Sequence, residues 1–219
     1  MTLYTVTGAA GGEGYLALEK SGDIAGKNIY VNMTNKCPCN CTFCLRNTKE
    51  QLEGNTLWLK EGEPSVSEII AEFSLYDLSN TPEIVFCGFG EPLERLYDIC
   101  EVVDNLKKQY PNLKFRVNTN GLANLIYDKD ITPELKDRFD TVSISLNAPD
   151  AEEYLELTRS KFGIESYDAL KEFATLATQY VPSVVLTVVD KVMSPEKIER
   201  CRQICDTLNV TLRVRPFEE

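Results

Sequence analysis

From Lys27 onward the chain alternates short apolar runs with stretches of helical spacing, and that alternation limits the fold more than any other feature. Strands are read at 28–34, 83–88, 114–119, 141–147, 183–189 and 211–215. Ser65 and Glu68 form a capping box ahead of Ile69, Ile70, Phe73 and Tyr76, so a helix starts there. The stretch 93–109 carries Leu96, Ile99, Val103 and Leu106 at helical spacing. Asp150 and Glu153 can cap a helix after the fourth strand, and 166–178 places Leu170, Phe173 and Leu176 on one face. Ser194-Pro195 opens a last helix, with Ile198, Cys201, Ile204, Cys205 and Leu208 along one stripe. Strand and helix repeated in this way require parallel strands joined by right-handed crossovers. The expected fold class is therefore α/β, an incomplete (β/α)6 barrel of parallel strands, or partial TIM barrel. A chain of 219 residues can bury one such core. Residues 1–26, with turns at Gly8, Gly11, Gly12 and Gly14, read as a hairpin or extended lead-in, and 27–219 as the core domain.

The strands are not continuously apolar, as strands covered on both faces would be. In the fourth, Val142, Ile144 and Leu146 share one face, and Thr141, Ser143, Ser145 and Asn147 share the other. The same split sets apart Asn32 and Thr34, Arg116 and Asn118, and Arg213 and Arg215. Buried polar groups need partners, so the polar side is expected to be wet and to hold a polar ligand.

The residues for that chemistry stand in Cys37-Pro38-Cys39-Asn40-Cys41-Thr42-Phe43-Cys44, which holds half of the eight cysteines. Thiols at this density in a reducing compartment read as metal ligands. A zinc site usually draws on two separated pairs, and no second pair follows here. The chain has no histidine, which removes His-ligated zinc and iron, the Ser-His-Asp triad and histidine general-base catalysis together. With 23 Lys and Arg against 34 Asp and Glu, the net charge of −11 argues against broad binding to a nucleic-acid backbone. There is no apolar run of about 18 residues and no charged-then-apolar N-terminal leader, so a cytoplasmic protein is expected, without a membrane span.

Cys37, Cys41 and Cys44 follow C-x3-C-x2-C with Phe43 before the last thiol, and this loop resembles that of the radical SAM superfamily. The resemblance implies that the three cysteines hold a [4Fe-4S] cluster whose fourth iron binds S-adenosylmethionine. Reductive cleavage then gives a 5'-deoxyadenosyl radical that abstracts hydrogen from a substrate. An external one-electron donor of flavodoxin or ferredoxin type is implied as a partner. Cys87-Gly88-Phe89-Gly90-Glu91-Pro92 resembles the family's glycine-glycine-glutamate segment, which receives the methionyl amino group; Phe89 stands where the family has the first glycine of its pair. Ser145 and Asn147 fall where the family binds the ribose hydroxyls, and Phe43 is expected near the adenine. Asn118, Asn120, Arg213 and Arg215 are candidate substrate contacts. Residues 34–46 also look like the TatD-associated radical SAM proteins, including the extra Cys39, which implies a link with a TatD-type hydrolase.

Two further readings stay open. The short chain resembles activases that place a glycyl radical on a partner enzyme, and a barrel side closed by substrate or partner is expected. Alternatively, the cysteine loop binds zinc in a non-enzymatic adaptor.

Overall fold

The computed structural model describes residues 1–7, 14–48, 56–191 and 193–216. Gly8, Gly11 and Gly12 lie outside them. The chain separates into two compact units, one of residues 1–36 and 45–117, the other of 37–44 and 118–219.

The first unit begins with a hairpin, β1 (Leu3–Thr7) and β2 (Gly14–Ala17), whose strands pair antiparallel. β1 also pairs antiparallel with β3 (Ile29–Val31), in the register Leu3↔Val31. On its other side β3 runs parallel to β4 (Glu83–Phe86), and β4 parallel to β5 (Lys114–Thr119). The hairpin thereby covers an edge of β3 that would otherwise present unpaired backbone groups. Tyr4 pins it: its ring stacks on Tyr30 at 5.2 Å and its hydroxyl donates to the Cys87 carbonyl at 3.0 Å. Burial pushes that phenol well above its ordinary pKa, so it stays a donor.

Two longer helices accompany these strands, after the short α1 (Leu45–Thr48). α2 (Val66–Phe73) starts at the capping box read from sequence: the Ser65 hydroxyl accepts from Glu68 N and the Glu68 carboxylate accepts from Ser65 N. α3 (Leu96–Gln109) buries Leu96, Ile99, Val103 and Leu106 and packs against α2. Ile84, Val85 and Phe86 have no exposure, so β4 is buried on both faces.

The second unit continues the β/α alternation with α4 (Ala123–Tyr127), β6 (Thr141–Ser145), α5 (Ala151–Thr158), α6 (Ser166–Ala177), β7 (Ser183–Val189), α7 (Pro195–Leu208) and β8 (Thr211–Arg215). β6, β7 and β8 are parallel neighbours, in the registers Ile144↔Leu186 and Leu186↔Leu212. Asp150 caps α5 by accepting from Glu153 N, and Ser194 caps α7 by accepting from Lys197 N ahead of Pro195. Val142, Ile144, Leu146, Leu170, Phe173 and Leu186 are fully buried. The two units carry the six parallel strands of the expected fold class, a partial (β/α)6 barrel.

Candidate functional site

In the first unit, the loops after β3 and β4 are tied to each other by backbone. Glu91 N donates to Lys36 O at 2.7 Å, and Arg95 donates through Nη1 to Met33 O at 2.9 Å and to Pro64 O at 2.6 Å. Arg95 also binds the Asp98 carboxylate at 2.7 Å, which fixes the start of α3. Sequence reading missed Arg95, because only the fold brings it beside Met33.

Gly88 and Gly90 owe their small size to this packing. A Cβ on Gly90 would lie 2.7 Å from Lys36 O and nearer still to Thr34 O, both of them backbone atoms. A Cβ on Gly88 would meet the Asn32 side chain, 2.5 Å from its Cγ. The glycine pattern therefore lets the loop after β4 lie on the loop after β3. Phe89, the departure from the family pattern, is 6% exposed in an apolar cluster with Tyr4 and Leu57, edge-on to Trp58 at 5.5 Å. A glycine there would leave that cluster short of a side chain.

Glu91 is 3% exposed and its Oε1 accepts from Leu93 N at 3.1 Å, capping the 3-10 turn Pro92–Arg95. Beside it, Thr34 and Asn32 are each 1% exposed. Thr34 donates to Glu63, and Asn32 donates to Leu57 O while its Oδ1 is buried with no hydrogen bond. Arg116, on the polar face of β5, pairs with Glu83 at 2.9 Å.

In the second unit, the cysteine loop is held by three backbone bonds. Asn40 N donates to Thr158 O, Thr42 N to Leu157 O, and Lys161 N to Pro38 O, each at 2.9 Å. Leu157 and Thr158 end α5, so the loop satisfies carbonyls that a helix terminus leaves without an internal partner. On this base Cys37, Cys41 and Cys44 are half-buried, whereas Cys39 is buried. Hydrogen bonds with the Cys37 and Cys41 sulfurs, followed by burial, keep the Cys39 proton on far above the ordinary thiol pKa. Phe43 is half-buried in the same loop. Among the described residues no three His, Cys, Asp or Glu side chains converge as a finished metal site. The donor chemistry nonetheless fits a [4Fe-4S] cluster: three accessible thiols of one anchored loop, in a chain with no histidine to compete.

Ser145 ends β6 half-buried, and Asn147 is 6% exposed with a left-handed φ of 59°. Its backbone N lies 3.4 Å from Thr187 O, and its Oδ1 is buried with no hydrogen-bond partner. Thr187, 2% exposed on β7, adds a polar group that sequence reading did not single out. Asn118 and Asn120 are both half-buried, and the Asn120 amide faces the sulfurs of Cys37 and Cys39. Arg213 is exposed on β8; Arg215 is half-buried, with its Nε buried and without a hydrogen bond.

The profile of the radical SAM superfamily matches residues 31–205. An uncharacterized protein of Methanocaldococcus jannaschii is 27% identical over 165 residues, 74% of this chain and 53% of that protein. A probable GTP 3',8-cyclase of Thermococcus kodakarensis is also 27% identical, over 161 residues, 74% of this chain and 47% of that protein. The chain thus spans about half the length of the curated relatives it matches. Among solved structures, SuiB of Streptococcus suis bound to its precursor peptide SuiA superposes with a TM-score of 0.62 at 16% identity, over 87% of this chain and 39% of that one. SuiB has also been solved bound to S-adenosylmethionine. The match over residues 31–205 and the shared fold place the chain in the radical SAM superfamily of enzymes, whose cofactors are a [4Fe-4S] cluster and S-adenosylmethionine.

Proposed function

We propose that this chain cleaves S-adenosylmethionine reductively and uses the product to abstract hydrogen from a substrate still to be identified. The observation that carries this reading is the exposure pattern of the anchored loop. The three cysteines in C-x3-C-x2-C spacing are half-buried, while the extra Cys39 is buried. Cys37, Cys41 and Cys44 would hold the cluster. When bound, it supplies one electron to S-adenosylmethionine, giving methionine and a 5'-deoxyadenosyl radical.

The chain's own residues bind and orient. Glu91 offers carboxylate lone pairs to the methionyl ammonium, held in place by Leu93 N and by its own N–H on Lys36 O. Gly88 and Gly90 let that loop seat against the loop after β3. Asn147 Oδ1, buried with no acceptor bond made, suits a ribose hydroxyl, with Ser145 beside it. Phe43 suits the adenine. Asn118 and the cations Arg213 and Arg215 suit an anionic substrate, the guanidinium fork matching a carboxylate or phosphate.

On this reading 27–219 form the catalytic core and 1–26 its lead-in. An external one-electron donor of flavodoxin or ferredoxin type would be the partner that this site needs. Thiolate ligands call for a reducing compartment, and we place the protein in the cytoplasm; among the described residues no helix is long and apolar enough to cross a membrane. The sequence 34–46 supports membership of the TatD-associated group and a partnership with a TatD-type hydrolase. The test is anaerobic reconstitution with iron and sulfide, followed by electron paramagnetic resonance of the reduced protein with and without S-adenosylmethionine. A brown protein whose reduced signal changes on adding S-adenosylmethionine is expected. A colourless protein that retains zinc would transfer the loop to the adaptor reading.

A further inference from the structure

Asn120 was read from sequence as a substrate contact, yet its side chain is turned toward the cysteine loop. Its Nδ2 lies 4.0 Å from Cys37 Sγ and 3.9 Å from Cys39 Sγ, both at hydrogen-bonding range for sulfur. The opposite end of the amide is fixed: Oδ1 accepts from Leu122 N at 2.9 Å. An amide has one acceptor end and one donor end, so once the oxygen faces Leu122 the NH2 has to face the sulfurs.

The turn that carries it has little freedom. Gly121 N donates to Thr119 Oγ1 at 3.1 Å, and Gly121 has a left-handed φ of 77°. A Cβ on Gly121 would lie 2.8 Å from Ile144 Cγ2 and 3.2 Å from Leu170 Cβ, both residues fully buried. The core beneath therefore sets the height of the turn, and the turn sets the direction of the amide.

We infer that Asn120 is a positioning residue for the cluster, donating an N–H···S hydrogen bond to the Cys37 thiolate and holding Cys39 against the loop. This inference rests on the reading of Cys37, Cys41 and Cys44 as cluster ligands. One-electron reduction by the external donor adds negative charge that is partly carried by the ligand sulfurs. A donor aimed at such a sulfur stabilises the reduced form more than the oxidised one, and hydrogen bonds to the sulfurs are a recognised control on cluster potential. Asn120 thus makes the cluster easier to reduce.

The test is the midpoint potential of the reconstituted protein, read by electron paramagnetic resonance during a redox titration, for wild type, Asn120→Ala and Asn120→Asp. Iron and sulfide content confirm equal loading. Loss of the donor is expected to shift the one-electron equilibrium against reduction by about tenfold, a fall of ~59 mV. Asn120→Asp keeps an acceptor for Leu122 N and adds charge near the sulfurs, so its fall is expected to be the larger. Two variants are used so that a defect in one still leaves a potential to read. Potentials equal to wild type in the loaded variants would overturn the inference and return Asn120 to the substrate, while leaving the cluster reading intact. If the wild type assembles no cluster, the cluster reading fails first and this inference falls with it.

Discussion

The glycines before Glu91 give the most exacting test of the packing argument, because two neighbouring substitutions should differ for a reason visible in the structure. In Gly90→Ala the new methyl meets Thr34 O and Lys36 O, backbone atoms of the loop after β3 that cannot rotate away. Relief requires one loop to lift off the other, which breaks the 2.7 Å bond from Glu91 N to Lys36 O. Overpacking costs about 1–3 kcal/mol and the lost bond about 1 kcal/mol, so roughly 3 kcal/mol is expected. For a domain of this size that corresponds to a melting temperature lower by about 6–12 °C. In Gly88→Ala the methyl meets the Asn32 side chain, whose Oδ1 makes no hydrogen bond that rotation would lose. Turning Asn32 away costs its bond to Leu57 O, about 1 kcal/mol, or a fall of about 2–4 °C. Thermal melts of both variants, each compared with wild type in the same cofactor state, give the ranking. Adding Asn32→Ala should recover part of the loss in Gly88→Ala and none in Gly90→Ala, as expected for coupled and uncoupled pairs. If Gly90→Ala melts no lower than Gly88→Ala, the assignment of the second glycine to backbone packing is wrong.

Glu91→Gln keeps an oxygen for Leu93 N but removes the charge, so S-adenosylmethionine should bind on the order of 10- to 100-fold more weakly while the melting temperature barely moves; equilibrium dialysis of the reconstituted protein checks both halves when paired with a melt. In metal-free protein at mildly alkaline pH, iodoacetamide should label Cys37, Cys41 and Cys44 well before Cys201 and Cys205, since burial pushes the latter thiols up to about 12 and about 11; peptide mapping over time would expose the opposite order. Ser65→Ala should lower the melting temperature by about 2–4 °C near neutral pH. The Ser65 hydroxyl and N–H hold the Glu68 carboxyl below its usual range, so that half of the box is present above the unfolded-state pKa and is lost as pH falls through the folded one. The difference between Ser65→Ala and wild type should therefore shrink in acid, and a difference that grows there would contradict the reciprocal bond.

What could be read from sequence follows the range of each interaction. The capping box at Ser65 and Glu68, the Asp150 cap and the Ser194-Pro195 start depend on residues within three positions, and all stand where they were read. The β/α order was equally legible, because alternation and helical spacing are local patterns. Strand ends were less so: β3 is Ile29–Val31 where 28–34 was expected. The apolar run from 93 hid a 3-10 turn, because Glu91 caps it from outside the helical pattern. Phe89 breaks a family pattern for a reason no spacing reveals, its place beside Tyr4, Leu57 and Trp58. Asn120 was singled out by its position at a strand end, but its direction depends on Leu122 and on the buried Ile144 and Leu170 beneath Gly121.

Cys37, Cys41 and Cys44 are proposed to support reductive cleavage of S-adenosylmethionine. The most direct measurement is 5'-deoxyadenosine formed by anaerobically reconstituted, dithionite-reduced protein, wild type against Cys41→Ala. 5'-Deoxyadenosine and methionine are expected from the wild type and none above background from the variant. Equal formation by both would contradict that role, as would none from a wild type carrying a full cluster together with S-adenosylmethionine.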